Sequence, residues 1–250
     1  MILEEPVPPR SRSGFMAHRG TALLSVAAAL CLVIAVAAGT VAHAALARKP
    51  TAAQRSAASA AAVASRWRTW PAGQIFPASL SYRTALLTTE TAGRIGISAN
   101  PRCGAALDAS LVTLATREHC QAALRADYLD QLQGVVYTVG VLAFPDAHLA
   151  AAFAARLPVA SGRAVPLQAL ALPGTAGARF GAAARQGATE RQDGPFVVLT
   201  ASGYADGQPA GSGQEPDPAV FAPGAQLAAE VGHPLAEPVT VNCHSPEWSC

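Results

Sequence analysis

The run from Thr21 to Ala47 constrains this chain more than any other stretch. It carries no Asp, Glu, Lys or Arg, and its one strongly polar side chain is His43, near the far end. A helix rises about 1.5 Å per residue, so roughly 20 apolar residues cross a hydrocarbon core about 30 Å thick. The run lacks proline, and Gly39 is its only glycine. In lipid every backbone group must be bonded within the segment, which a continuous helix achieves. A core helix of a soluble protein would be shorter and would keep a polar stripe. The expectation is therefore a transmembrane signal-anchor helix over 21–47, with the lipid bilayer as its partner.

A cleaved signal peptide is the rival reading. Arg10, Arg12 and Arg19 would form its positive region, and Ala42-His43-Ala44 its small-x-small cleavage site. Signal-peptide cores run to about 7–15 apolar residues, and this one is longer, which favours the uncleaved anchor. Cleavage near Ala44 would give a secreted protein. Cys31 is a poor lipid-attachment residue, because Leu30 precedes it and the apolar run continues beyond it.

Flanking charge does not orient the span. Arg10, Arg12 and Arg19 precede it, and Arg48, Lys49 and Arg55 follow it. Cysteine usage breaks the tie. Cys103, Cys120, Cys243 and Cys250 lie beyond the span. Two local disulfides, Cys103–Cys120 and Cys243–Cys250, are expected, and both need an oxidising compartment. The C-terminal domain is thus expected outside the cytoplasm. A zinc site using His119 with Cys120, or His244 with Cys243, is the competing chemistry, but neither pair has C-x2–4-C spacing.

The remaining organisation follows in order. Residues 1–20 read as a disordered cytoplasmic tail with Pro6, Pro8 and Pro9. Residues 48–70 read as an Ala-rich helical stem with almost nothing large to bury, ending in Arg66-Trp67-Arg68-Thr69-Trp70. The tryptophans are expected to pack on the domain edge. Residues 71–250 form one extracytoplasmic α+β domain, an antiparallel sheet packed by helices.

Within that domain, Ser79–Leu87 reads as a strand. Thr88-Thr89-Glu90 reads as the start of a helix ending near Gly96. Helix is expected from Cys103 to Cys120, since Leu107, Leu111 and Leu114 share a face. Gln121–Asp130 and Val135–Phe144 form a hairpin, the second strand β-branched, aromatic and central. Asp146 caps a helix with Leu149, Ala152, Phe153 and Leu157 on one stripe, stopped by Pro158. Val165–Leu172 is a strand or an extended linker. Ala178–Thr189 and Pro195–Ser202 are strands joined through Glu190–Gly194. A loop runs over Tyr204–Pro218, and a last helix over Pro218–Val231.

Catalytic signatures are absent. There is no G-x-S-x-G, H-E-x-x-H or Walker pattern. Ser202 after a strong strand, with His233 and Asp206, could be imagined as a triad, but only geometry makes one. Asp108, Glu118 and His148 read as solvated charges. Carboxylates for glycoside hydrolysis cannot be chosen from Glu90, Glu118, Glu190, Glu215, Glu230 and Glu247 without distances. No catalytic, cofactor or metal residue is assigned, and no cofactor is expected. A net charge of +2 gives no footprint for nucleic acid.

The stretch from Cys120 to Leu157 carries Leu-Arg-Ala-Asp-Tyr, then Val-Tyr-Thr-Val-Gly-Val-Leu-Ala-Phe-Pro and an alanine-rich helix. With the tail, span and stem, it resembles single-pass membrane proteins of high-GC Gram-positive bacteria that carry a small extracytoplasmic α+β domain. It is more loosely similar to extracytoplasmic sensor domains of bacterial serine/threonine kinases. The resemblance carries over no functional residue. The function expected is a membrane-anchored binding or accessory domain without enzymatic activity, with a membrane or envelope protein as partner. The alternatives are a cell-envelope hydrolase, or a sensor acting through a partner.

Overall fold

The computed structural model describes residues 17–46, 49–158, 166–211, 218–243, 245 and 248. The chain divides into two units, 1–51 and 52–250. In the first, helix α1 runs over Ala17–Leu46. It begins inside the stretch expected as a disordered tail, and residues 1–16 of that tail lie outside the described residues. The side chains of Val26–His43 are exposed, and this segment is long and apolar enough to be a membrane anchor or a signal sequence.

The second unit is α+β. Its helices are α2 (Ala52–Thr69), α3 (Ala72–Ile75), α4 (Cys103–Ala106), α5 (Ala109–Arg117), α6 (Ala147–Ala154), α7 (Pro218–Phe221) and α8 (Pro223–Ala236). Its strands are β1 (Ser79–Arg83), β2 (Thr89–Ile97), β3 (Ala122–Leu129), β4 (Val135–Ala143), β5 (Gly187–Asp193) and β6 (Phe196–Tyr204). They form one six-stranded sheet, ordered β1-β2-β3-β4-β6-β5. Every pairing in it is antiparallel.

The sheet curls around α8, which packs on β4 and β6 and reaches both edge strands, β1 and β5. The Gln226 side chain meets the β1 edge as a peptide group would. Its Oε1 accepts from the Arg83 backbone N–H at 2.8 Å, and its Nε2 donates to the Arg83 carbonyl at 2.9 Å. Edge strands left bare are templates for unwanted pairing, and this amide occupies one such position.

Both faces of the sheet are covered, which is why β4 is buried at every residue. On the concave face Tyr82, Tyr137, Val139, Val198, Leu227 and Val231 join one apolar cluster. On the other face α5 and α6 supply Leu111, Ala115, Ala150 and Phe153. Phe153 meets Phe144 at a ring separation of 5.2 Å. A segment from Pro166 to Phe180 straps across this second face. Leu167 lies over Gly140 and Leu172 over Gly96, and a Cβ at either glycine would overlap these leucines.

Several expectations need correction. The stretch from Thr88 to Gly96 is not a helix but strand β2. Thr84 and Thr88 close the preceding turn, with Thr84 N–H donating to the Thr88 carbonyl and the two hydroxyls 2.6 Å apart. That turn hands the chain to a hairpin that buries Leu80 and Tyr82 on β1 and, on β2, Ala92 alone. The helix expected over Cys103–Cys120 breaks at Leu107 and Asp108, where Leu107 bridges Leu167 of the strap. Strand β5 begins at Gly187 and continues through Glu190–Asp193, residues expected as a turn. Its polar side chains suit an edge. Of the two readings of 165–172 the extended linker holds, since residues 167–172 belong to no strand and Leu167 makes only a lone bridge; residue 165 lies outside the described residues. The final helix is two helices, α7 and α8, and the second continues to Ala236 with Pro234 inside it.

Other expectations hold. β3 and β4 form the central hairpin. The Asp146 carboxylate accepts from Leu149 N–H at 2.9 Å, capping α6. The Cys103–Cys120 disulfide is present. Cys243 is disulfide-bonded, and Cys250 lies outside the described residues. Trp67 and Trp70 pack against the domain. Helix α2 is not exposed throughout, for it buries Val63 and Arg66. The Arg66 guanidinium donates to the Pro234 and Leu235 carbonyls at the C-terminal end of α8 and lies 4.7 Å from the Trp70 ring centre.

Candidate functional site

The turns β1–β2 and β3–β4 lie at the same end of the sheet, because the strands alternate in direction. At that end a cleft of about 790 Å³ opens between the two turns, the end of β6, and the start of α8. Its inner wall holds Tyr82, Tyr137 and Tyr204, and its apolar wall is completed by Val135, Val220 and Pro223. Cross-strand pairing sets two of these positions: Tyr82 opposes Glu90, and Val135 opposes Tyr204.

The tyrosines are held in place. Tyr82 OH donates to Glu90 Oε2 at 2.8 Å, and Tyr137 OH donates to the Val220 carbonyl at 3.1 Å. The Tyr204 ring meets Phe221 edge-on at 5.5 Å. Burial first, then the hydrogen bond and charge of Glu90, push the Tyr82 phenol above its ordinary value. Tyr137 is raised by burial and then by Tyr82, Asp130 and Glu90. Both hydroxyls therefore stay neutral across the physiological range, and both sit in a negative field.

The cleft's rim is apolar and exposed. Leu86 is 86% exposed, Leu87 75% and Leu132 81%. These leucines sit on bonded turns. Leu87 N–H donates to the Thr84 carbonyl, and Leu87 takes a left-handed φ of 62°. In the other turn Asp130 Oδ1 accepts from Gly134 N–H at 2.7 Å and Val135 N–H at 2.8 Å. The Gln131 side chain ties this turn to strand β2 by accepting from Thr91 N–H at 3.3 Å.

The described residues of the lining include no serine, cysteine, histidine or lysine, and Thr84 and Thr88 are engaged with each other. The imagined triad is not assembled. Ser202 pairs with Gly187 at one end of β5. His233 meets Arg191 and Asp193 at the other end, with its Nε2 3.0 Å from the Arg191 guanidinium and its Nδ1 3.9 Å from Asp193. Six residue steps along a strand span roughly 20 Å. Asp206 binds Gln208 N–H in its own turn.

The other singled-out residues are scattered. Glu118 pairs with Arg117 and Arg156 beside α5. Asp108 accepts from Gln168 and Arg185, fixing the strap. Burial raises the Glu190 carboxyl above its ordinary value. His119, in the turn after α5, and His148, in the first turn of α6, are both exposed. Glu215, Glu247 and His244 lie outside the described residues. Among the described residues, no group of three or more His, Cys, Asp or Glu is placed to hold a metal.

One buried polar group escaped sequence reasoning. Asp127 on β3 is fully buried beneath the strap. Thr138 OH donates to its Oδ1 at 2.6 Å, and Leu170 N–H donates to the Thr138 oxygen at 3.1 Å. Oδ2 has no hydrogen-bond partner, and neither does Arg125 Nε. Burial drives the Asp127 carboxyl up to about 7, against the lowering effects of Thr138 and Arg125. Its signal in the sequence was charge on a strand next to the most apolar strand of the chain.

Comparisons with protein-family models, with curated proteins and with solved structures return no match to this chain.

Proposed function

We propose that this chain is a membrane-anchored extracytoplasmic binding module, with α1 as the anchor and the tyrosine-walled cleft as the place where a partner docks. The observation that carries the reading is the cleft with its three exposed leucines. Exposed leucines on bonded turns around a concave apolar wall are a common form of binding surface. Fully burying each one would contribute about 1.5–3 kcal/mol.

The outward orientation rests on the disulfide, which needs an oxidising compartment. The kinship with single-pass proteins of high-GC Gram-positive bacteria rests on the sequence pattern alone. No observation favours the hydrolase alternative, since the described residues of the lining include no serine, cysteine or histidine.

The test is site-specific photo-crosslinking in intact cells. A photoreactive residue replaces Leu87 or Leu132 in the cleft's rim, and a control replaces Thr113, exposed on α5. Discrete adducts from the rim positions, absent from the control, are the expected outcome. The same adducts from all three positions, or none from the rim, would remove the cleft from consideration.

A further inference from the structure

The charges of the cleft define its occupant more closely. Glu90 uses Oε2 to accept from Tyr82, and Asp130 uses Oδ1 to accept from two backbone groups. Their second oxygens, Glu90 Oε1 and Asp130 Oδ2, are bonded to no described residue. Both carboxylates act on the tyrosines that floor the cleft. Among the described residues of the lining the one basic residue is Arg83. It alternates with Tyr82 along β1, so its side chain leaves from the opposite face of the pleat. The cleft thus combines an apolar aromatic wall, leucine lips and unopposed negative charge. Aromatic faces also attract cations directly.

Resting on the binding reading above, we propose that the cleft takes an extended basic-apolar segment of a partner protein. A large apolar side chain inserts among Tyr82, Tyr137 and Tyr204 under the leucine lips, and a neighbouring Lys or Arg of the partner meets Glu90 and Asp130. A negatively charged segment is excluded by the same carboxylates.

The experiment uses the full chain in lipid nanodiscs and three fluorescent octapeptides read by anisotropy. One alternates leucine with lysine, one carries serine in place of the lysines, and one carries glutamate there. The lysine peptide is expected to bind at least about tenfold more tightly than the glutamate peptide, with affinity falling as salt is added. The double variant Glu90→Gln, Asp130→Asn keeps the acceptor oxygens that hold Tyr82 and the turn. It is expected to bring the lysine peptide to the affinity of the serine peptide, with unchanged circular dichroism. Equal binding of all three peptides would overturn the charge proposal while leaving an apolar binding cleft. Failure of every peptide would overturn the occupant, and rim crosslinks would then decide the broader reading separately. Quenching of a Leu132→Trp variant by brominated nanodisc lipid, beyond that of the unsubstituted chain with its native Trp67, Trp70 and Trp248, would overturn the proposal in favour of the membrane surface.

Discussion

Replacing Asp127 by asparagine isolates one carboxyl whose ionisation the fold opposes. Asp127 is fully buried, with one oxygen bonded to Thr138 and the other to nothing. Its carboxyl moves from an ordinary 3.8 to about 7. Because the folded value is raised, the folded state holds a proton that the unfolded chain has already released between these two pH values. Stability from this site is fully present below about pH 4, declines as pH rises, and is lost above about pH 7. A shift of roughly three units at 1.36 kcal/mol each amounts to about 4 kcal/mol. Asparagine cannot ionise, so Asp127→Asn removes that slope. Its amide lacks an acceptor where Oδ2 stands, which adds a pH-independent penalty of about 1–3 kcal/mol. The slope is therefore the readout, not the absolute value. Urea unfolding of both proteins in nanodiscs, followed by tryptophan fluorescence, is measured from about pH 5 to about pH 8. The wild-type curve should fall below the variant's by about 1.4 kcal/mol per pH unit until about pH 7, relative to their offset at pH 5. Parallel curves across the whole range would refute the claim that this carboxylate is held protonated by burial.

Four further outcomes follow from the packing. Cys103→Ser with Cys120→Ser opens a loop with a sequence separation of 17 and should lower stability by about 3 kcal/mol, measured as a drop in unfolding midpoint without reductant. Phe153→Ala removes a fully buried ring against Phe144 and should cost about 3–5 kcal/mol in urea unfolding. Asp146→Ala removes the cap of α6 and should cost about 1 kcal/mol in the same assay. Gly140→Ala puts a methyl group into Leu167 and should cost about 1–3 kcal/mol, with earliest loss of hydrogen-exchange protection in the strap.

The central hairpin was legible because β4 combines β-branched and aromatic residues over a full strand length, with a turn before it and Pro145-Asp146 after it. Strand β2 was not. Thr88-Thr89-Glu90 spells a helix start, and the strand itself offers Ala92, Gly93 and Gly96, too small to mark a buried face. Strand β5 looked like a turn because an edge strand needs little apolar surface. Arg125 and Asp127 alternate correctly with Leu124 and Ala126, yet their face is buried by a strap from more than forty residues downstream in the chain, as the contact from Arg125 to the Gln168 carbonyl shows. The cleft was invisible for a similar reason. Tyr82, Glu90, Asp130, Tyr137, Tyr204 and Pro223 come from separate elements, and no local spacing joins them. The exposed Leu86 and Leu87 were read as the end of a strand, when their turn is what presents them.

The position of α8 in the chain has a bearing on how the domain is made. Synthesis delivers residues from the N-terminus at about 5–20 per second. All six strands emerge before the helix that touches both sheet edges, and Gln226 arrives more than a hundred residues after the β1 backbone it completes. Until then β1 presents bare peptide groups and the concave face lacks Leu227, Val231 and Leu235. A nascent chain at that stage is a partly closed sheet in need of shelter from its neighbours. Closure of the sheet's concave face waits for α8, so a chain cut short before Pro223 is expected to aggregate where the full chain does not.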